Sequence, residues 1–430
     1  MTESWLQALA RSLICRALGR IRHGQLRLKL NYLGHDEPDV ALGTSPGDGS
    51  DQAVVVMVNN ARAWVRMFQS MDLGFAEAYM LQEVDCHDLL GLFCLHIANL
   101  DTLGHSTDIT FVQLLPLAAR YLDPGNVPSR SRLNIAFHYD ESNDVFSNFL
   151  SEDMNYSSAL WSGDANESLE SAQLRKVQNI IDKAKISSSH HVLDIGCGWG
   201  HLAIEAARQT GCRVTGLTLS KEQKQFAEDK IVAAGLQDNI DIVLCDYREA
   251  PKVEGGYDQV ISIEMLEHVG SNFMNRFFQE ISALLNPETG LMVIQGITTH
   301  RKSSPNAETF MGRYIFPGGY LHSSHDLLMA IHDGSKGALE VETVENIGPH
   351  YVRTLQRWRQ KFLGAWPETR AIFVKAKPDT TEDEIEAYRR RWEYYFTYCE
   401  AGFYTRMLGD YVISAVRPFS QTNCRQLVSI

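Results

Sequence analysis

Residues able to do chemistry cluster in the middle of the chain. The run Asp194-Ile195-Gly196-Cys197-Gly198-Trp199-Gly200 places three glycines at alternate positions behind a carboxylate. Glycine permits positive φ and lets a ligand approach the backbone, and a helix start beyond it offers free N–H groups. The G-x-G-x-G spacing differs from the G-x-G-x-x-G of a dinucleotide site, and no phosphate-binding lysine follows. It suits a ligand with an amino-acid end and no phosphate. Glycines serving only a tight strand-to-helix turn are the plainer alternative. Against it, three further strand ends carry polar groups: Thr218, Ser220 and Gln223; then Asp246, Tyr247 and Arg248; then Glu264-Met265-Leu266-Glu267-His268. Successive strand ends border the ligand crevice of a doubly wound sheet, and core packing does not call for polar groups there. Asp246 and Tyr247 offer an acid and an aromatic face for an adenine.

Periodicity supplies the elements that position these groups. Short apolar runs at 191–195, 212–217, 240–245, 257–263 and 290–298 read as buried strands. Patterns at 201–209, 221–234 and 272–285 read as the helices between them. This alternation predicts a parallel sheet with helices on both faces. Text that is helical, aromatic and charged fills 300–400, with one strong helix over 382–398, and 410–416 reads as a late strand closing the sheet edge. Upstream, 25–33 and 53–58 read as strands, and 61–70, 74–82 and 86–100 as helices. We therefore expect an α/β fold in two domains, a small N-terminal α/β domain over 1–125 and a catalytic domain over 130–420, punctuated by Asp123-Pro124-Gly125-Asn126-Val127-Pro128.

The chain has 430 residues, 44% hydrophobic and 22% charged, which fits a globular protein. A net charge of −13 argues against nucleic acid held by a general basic field. The eight cysteines form no C-x-x-C pair, so neither a metal site nor a disulfide framework is expected. No apolar run is long enough to span a membrane. Residues 5–21 place apolar side chains at helical spacing among Arg11, Arg16, Arg20 and Arg22. Such a helix either packs on the body or lies on an anionic lipid surface. The basic runs 353–361 and Arg389-Arg390-Arg391 are solvated faces or local attractors for headgroups.

Residues 130–417 resemble the cyclopropane-fatty-acid-phospholipid synthase family. The resemblance rests on His138-Tyr139-Asp140 with Asn143-Asp144 and Phe146; Met154-Asn155-Tyr156-Ser157; Leu169-Glu170 with Ala172-Gln173; the Asp194–Gly200 loop; Asp246-Tyr247-Arg248; Glu264-Met265 with Glu267-His268-Val269-Gly270; Arg313 through Gly319; Gly348-Pro349-His350-Tyr351; and Tyr398 through Phe403. Asp72-Leu73-Gly74-Phe75-Ala76-Glu77-Ala78-Tyr79 extends it to the small lipid-associated domain of bacterial members. The resemblance implies a Rossmann-like class I methyltransferase sheet with helical cap insertions. It implies S-adenosyl-L-methionine as cofactor, held by Tyr156, Ser157, Asp194, Gly196, Gly198, Gly200, Thr218, Ser220, Gln223, Asp246, Tyr247 and Arg248.

The implied reaction adds a methylene bridge across the cis double bond of a phospholipid acyl chain. Methyl transfer leaves a carbocation, and a base then removes a proton. Aromatic faces stabilise such a cation; Tyr156, Trp161, Phe310, Tyr314, Phe316 and Tyr351 are candidates. In relatives the base is bicarbonate. Carried over, its ligands are Glu267, Ile297 and Tyr351, with Ser158 and Gln295 where relatives have Cys and His; both replacements can still hydrogen-bond an anion. Cys399 stands where the family has a cysteine, although nothing in this chemistry needs a thiolate. The changed residues leave a methylene- or methyl-branched product open. A small-amine or sphingolipid methyltransferase and an idle lipid-binding homologue are the other readings, the last disfavoured by the intact loop. The implied partner is unsaturated phospholipid at a membrane surface, with the protein cytoplasmic and peripheral; a homodimer is left open.

Overall fold

The computed structural model describes residues 3–34, 38–44, 53–103, 142–300 and 309–418. The His138-Tyr139-Asp140 string and the expected boundary at 123–128 lie outside them. The chain divides into two compact units. One comprises Met1–Glu141, Asn306–Pro317 and Phe362–Thr405; the other comprises Ser142–Pro305, Gly318–Lys361 and Arg406–Ile430. The expected division into two continuous stretches thus misses two returns of the chain, at 306–317 and 362–405, to the N-terminal unit.

In the first unit, β1 (Gln25–Leu30), β2 (Val40–Gly43), β3 (Val54–Val58) and β4 (Val84–Cys86) form a sheet in the order β2-β1-β3-β4. Leu26, Leu28 and Leu30 alternate inward along β1, the period-2 pattern of a half-buried strand. β2 and β4 were not expected, because each is too short to show a period; Cys86 ends β4 rather than opening a helix. The two helices expected over 61–82 are found within Arg62–Met80, parted where Met71 leaves the helical conformation at φ 45°. After this break the chain passes so close to itself that a Cβ on Gly74 would sit 2.2 Å from the Arg66 carbonyl oxygen. Only glycine fits there.

That close approach brings Glu77, fully buried, against Arg66 at 3.2 Å; Tyr314 donates to Glu77 at 2.7 Å. The Asp72–Tyr79 string therefore has a structural task. The helix Glu382–Tyr404 starts at a capping box formed by Thr381 and Glu384. It packs Tyr394 against Phe310 and Phe93, with ring centroids 4.6 and 5.0 Å apart. Two of the residues expected to face solvent or lipid headgroups are instead engaged: Arg389 pairs with Glu386 and Glu393, and Arg390 with Asp85 and Glu386. Arg391 is buried.

The second unit holds β5 (His191–Ile195), β6 (Arg213–Thr218), β7 (Ile240–Leu244), β8 (Gln259–Ile263), β9 (Leu291–Thr299), β10 (Glu340–Asn346) and β11 (Leu408–Val416), ordered β10-β11-β9-β8-β5-β6-β7. β5 to β9 run parallel, while β11 is antiparallel to both β9 and β10. The strand order reverses between β5 and β8, where doubly wound sheets open a crevice at their carboxyl ends. β11 was expected at the edge. It lies inside, because β10 covers it; the half-exposed Glu-Val-Glu-Thr-Val-Glu-Asn alternation of β10 gives little apolar signal. Among the described residues no helix is long and apolar enough to cross a membrane.

Candidate active site

β5 runs into the glycine loop at the crevice. Gly196, Gly198 and Gly200 take φ of 79°, 54° and 83°, and Gly200 caps the helix His201–Thr210. The Gly196 and Cys197 N–H groups donate to the Leu217 carbonyl, which ties the loop to β6. A Cβ on Gly200 would come within 2.9 Å of Ala227, while one on Gly198 would meet nothing within 4 Å. The loop is therefore closed toward the protein at one glycine and open at another, the shape a backbone needs to cradle a ligand.

Asp194 precedes the loop. Burial pushes its carboxyl up to about 7, with Lys176 opposing, and its Oδ2 has no hydrogen-bond partner among the described residues. A buried polar atom without a partner marks a place for a ligand donor. Because the folded pKa lies above the ordinary 3.8, this group stabilises the ligand-free fold most below pH 4 and loses that contribution as pH rises through about 7. Asp194→Asn should flatten this part of the thermal-midpoint-versus-pH curve and weaken binding of a cationic ligand. An unchanged curve would show that the carboxyl is hydrated.

The other expected cofactor residues gather at neighbouring strand ends. Thr218 donates to Gln223 at 2.8 Å, and Ser220 caps the helix Lys221–Ala234 by accepting from the Gln223 N–H. Asp246 is gripped by Arg248 through Nε and Nη2 at 2.7 and 2.8 Å, which holds its carboxyl below the usual range. The Arg248 guanidinium lies 5.6 Å from the Tyr247 ring centroid. Tyr156 sits among Phe146, Phe149 and Trp358, at 5.2, 6.1 and 5.3 Å. Ser157 accepts from the buried Lys176 at 2.8 Å.

The carboxyl groups converge at the end of β8. Glu264 follows the strand at φ 49°, a conformation that costs a non-glycine residue about 1–3 kcal/mol and is retained where surroundings enforce it. Its Oε1 accepts from the Ser158 N–H and from Gln295 Nε2, both at 2.8 Å, and its Oε2 accepts from the Tyr351 hydroxyl at 2.6 Å. Gln295 also donates to Asp410 at 2.8 Å. Thus the Gln295 and Tyr351 side chains, expected to surround a free anion, are bonded to a carboxylate of the chain itself, and Ser158 joins them through its backbone N–H while its hydroxyl donates to the Ala159 carbonyl at 3.1 Å. Ile297, the fourth expected donor, gives its N–H to Glu267 Oε1 at 2.6 Å, and Glu267 Oε2 is buried without a partner among the described residues.

Burial is the main cause of every shift in this cluster. Glu267 is pushed up to about 8, with the Glu264 charge adding to burial. Glu264 is raised, but Tyr351, the Ser158 N–H and Lys176 oppose this. Asp410 is raised well above its ordinary value by burial and by Glu264. Two carboxyls in contact cannot both ionise freely; Tyr351, the Ser158 N–H and Lys176 favour the charge on Glu264 over Asp410. Burial lowers His268, leaving it neutral at pH 7.

Sequence patterns missed the roles of Glu264, Asp410 and Lys176. Lys176 has a signal in retrospect, since a lysine sits one turn after Gln173 on the buried face of the helix Leu169–Lys183. Asp410, one acid in an apolar strand, has a weaker one. Cys399 belongs to the first unit, and burial pushes its thiol up to about 12, so it is no thiolate. Phe310, Tyr314 and Phe316 also belong to that unit. Trp161 stays in the second, where its indole donates to Thr354 and lies under the Arg353 guanidinium at 4.1 Å.

Comparison with known proteins shows the family and the fold. The family described as mycolic acid cyclopropane synthetase matches residues 127–411. A tuberculostearic acid methyltransferase of Mycobacterium tuberculosis is 33% identical over 385 residues, covering 87% of this chain and 86% of its own length. The cyclopropane-fatty-acyl-phospholipid synthase of Escherichia coli K12 is 32% identical over 366 residues, covering 85% and 86%. A solved mycolic acid cyclopropane synthase complexed with SAH and CTAB superposes with a TM-score of 0.55 at 25% identity, over 66% of this chain and 98% of that one. The expected class I methyltransferase sheet is the one found.

Proposed function

The chain belongs to the mycolic acid cyclopropane synthetase family, and from that premise we propose that it transfers a methyl group to the cis double bond of an unsaturated phospholipid acyl chain, closing a cyclopropane ring through a carbocation. S-adenosyl-L-methionine is the cofactor, and the residues present fit it. The glycine loop is open at Gly198, and Asp194 holds a buried, unpartnered oxygen for its ammonium group. When bound, it supplies the electrophilic methyl. The chain's own residues position the alkene, exclude water and take up a proton.

The buried carboxyl cluster at the end of β8 carries this reading. A cation formed on an acyl chain must lose a proton to a base shielded from water; Asp410 is fully buried, Glu267 has a buried oxygen, and desolvation raises Glu264, Glu267 and Asp410 alike. A second reading is a methylene- or methyl-branched product. It is favoured by the 33% identity to a tuberculostearic acid methyltransferase, beside 32% to the cyclopropane synthase. The test is incubation with labelled cofactor and vesicles of mixed unsaturated phospholipids, followed by mass spectrometry of the fatty acids. Labelled cyclopropane acids support the first reading, and branched acids the second. Label on amines alone would sink both.

A membrane-surface substrate fits the helix Trp5–Leu18. Trp5, Leu6 and Leu9 are 78%, 41% and 47% exposed, and Arg16, Arg20 and Arg22 are exposed nearby. Each large apolar side chain moved out of water is worth about 1.5–3 kcal/mol. Replacing Trp5 and Leu9 together by Glu should therefore weaken sedimentation with anionic vesicles by about tenfold or more. Unchanged sedimentation would remove this helix from lipid binding.

A further inference from the structure

We propose that the Glu264 carboxylate is the proton acceptor of this site, a base built into the chain in place of a free anion. The inference rests on the reading of the chain as a methyltransferase acting on an alkene.

Three observations lead to it. The first is convergence. Ser158, Gln295 and Tyr351 come from separate parts of the second unit, and each directs a donor at one carboxylate. These are the residues the family resemblance assigned to an anion. Here the anion is covalently supplied: the Gln295 and Tyr351 side chains already have it as partner, and the Ser158 hydroxyl is turned to the Ala159 carbonyl at 3.1 Å while its N–H takes the carboxylate. The second is position. Glu264 stands where β8 opens into the crevice, beside β5, and the next residue, Met265, reaches the cofactor loop: a Cβ on Gly196 would lie 3.0 Å from Met265 Cγ. The left-handed backbone at Glu264, φ 49°, is a conformation that persists where the surrounding structure enforces it.

The third is the division of protons. Glu264 has hydrogen-bond donors on both oxygens and the charge of Lys176 to support its ionised form. These favour the charge on Glu264 over Asp410, and Glu267 is largely neutral at pH 7. Neighbouring carboxyls whose environments separate them in this way reveal which is base and which is acid. The ionised member is Glu264.

The step balances without a co-reactant. After methyl transfer the acyl chain carries an electron-deficient carbon. A C–H bond breaks, and its electron pair becomes either the last C–C bond of the ring or a new double bond. The proton passes to a Glu264 oxygen. The family's methyl transfer supplies the cation, and no oxidant or metal is required.

The closing experiment uses the full chain with labelled S-adenosylmethionine and unsaturated phospholipid vesicles, in carbon-dioxide-free buffer and again with added bicarbonate. Wild-type turnover should be the same in both buffers. Glu264→Gln should lower kcat by about 100-fold or more, the usual worth of a general base, while calorimetry shows cofactor affinity preserved. Glu264→Ala, which vacates the carboxylate's place, should be equally slow but regain about tenfold with bicarbonate or formate, as a small base replaces the missing one. A merely structural Glu264 would show no such rescue. Wild-type turnover that depends on bicarbonate, or near-normal turnover in Glu264→Gln, overturns the proposal. The wild-type arm decides even if a variant fails to fold. A wild type that methylates no lipid in either buffer sinks the alkene reading, and this base with it; one that methylates lipid only with bicarbonate overturns the base alone.

Discussion

Glu267→Gln should lower steady-state turnover by about 10²–10⁴-fold and leave cofactor affinity nearly unchanged. Gln is close to the neutral carboxyl in size and can still accept the Ile297 N–H bond that holds Glu267 at 2.6 Å. What the substitution removes is titration. Burial and the Glu264 charge push Glu267 up to about 8. That coupling is mutual, as for any interacting pair of acids. When a proton arrives on Glu264, the charge that raises Glu267 disappears, and Glu267 becomes the more acidic group. Its proton is then the one released, and the proton on Glu264 passes to the vacated Glu267 carboxylate, which resets the site. Without a titratable group the site stays loaded after one reaction.

The sign for pH follows. With Glu264 protonated, Glu267 titrates below the value of about 8 it has beside the Glu264 charge, so wild-type turnover should climb with pH and level off by about pH 8. The limb should be absent in Glu267→Gln. A stopped-flow measurement separates the roles further: the Gln variant should complete a first turnover and then stall. Steady turnover near the wild-type rate would remove Glu267 from the mechanism.

Arg66→Ala should destabilise the first unit by about 3–5 kcal/mol, the cost of leaving buried charge unpaired. The guanidinium holds Glu83 through two bonds at 2.9 and 3.1 Å and Glu77 at 3.2 Å. Both carboxylates are buried. Removing the cation strands them together, and the bond from Tyr314 to Glu77 does not supply the missing charge. Urea unfolding of the full chain, monitored for the first transition, reads the effect. A loss below about 1 kcal/mol, the worth of a solvated surface pair, would show that water reaches these groups.

Much of the second unit was legible from local pattern. The strands from 191 to 298 and the helices between them emerge from apolar runs punctuated by glycine, and boundaries shifted by only a residue or two. The first unit was less legible. β2 and β4 are too short to carry a period, although the break between the helices at Met71 falls in the gap expected between 70 and 74. The returns of 306–317 and 362–405 to that unit depend on contacts such as Tyr314 with Glu77, and sequence distance hides them.

By itself the sequence determined the glycine-rich turn after β5 and the alternation of strands and helices that makes a parallel sheet. Backbone freedom at glycine, and burial at periods of two or 3.6 residues, act over a few neighbouring positions. Only the tertiary structure decided what the polar residues at the end of β8 do. Parallel pairing sets Ile263 beside Gln295, and antiparallel pairing sets Asp410 beside Ile297. Those registers bring Gln295 and Asp410 to Glu264, and Ile297 to Glu267. A carboxylate's charge state depends on which donors and charges surround it in space. The donors around Glu264 come from positions 158, 295 and 351, and folding alone brings them together.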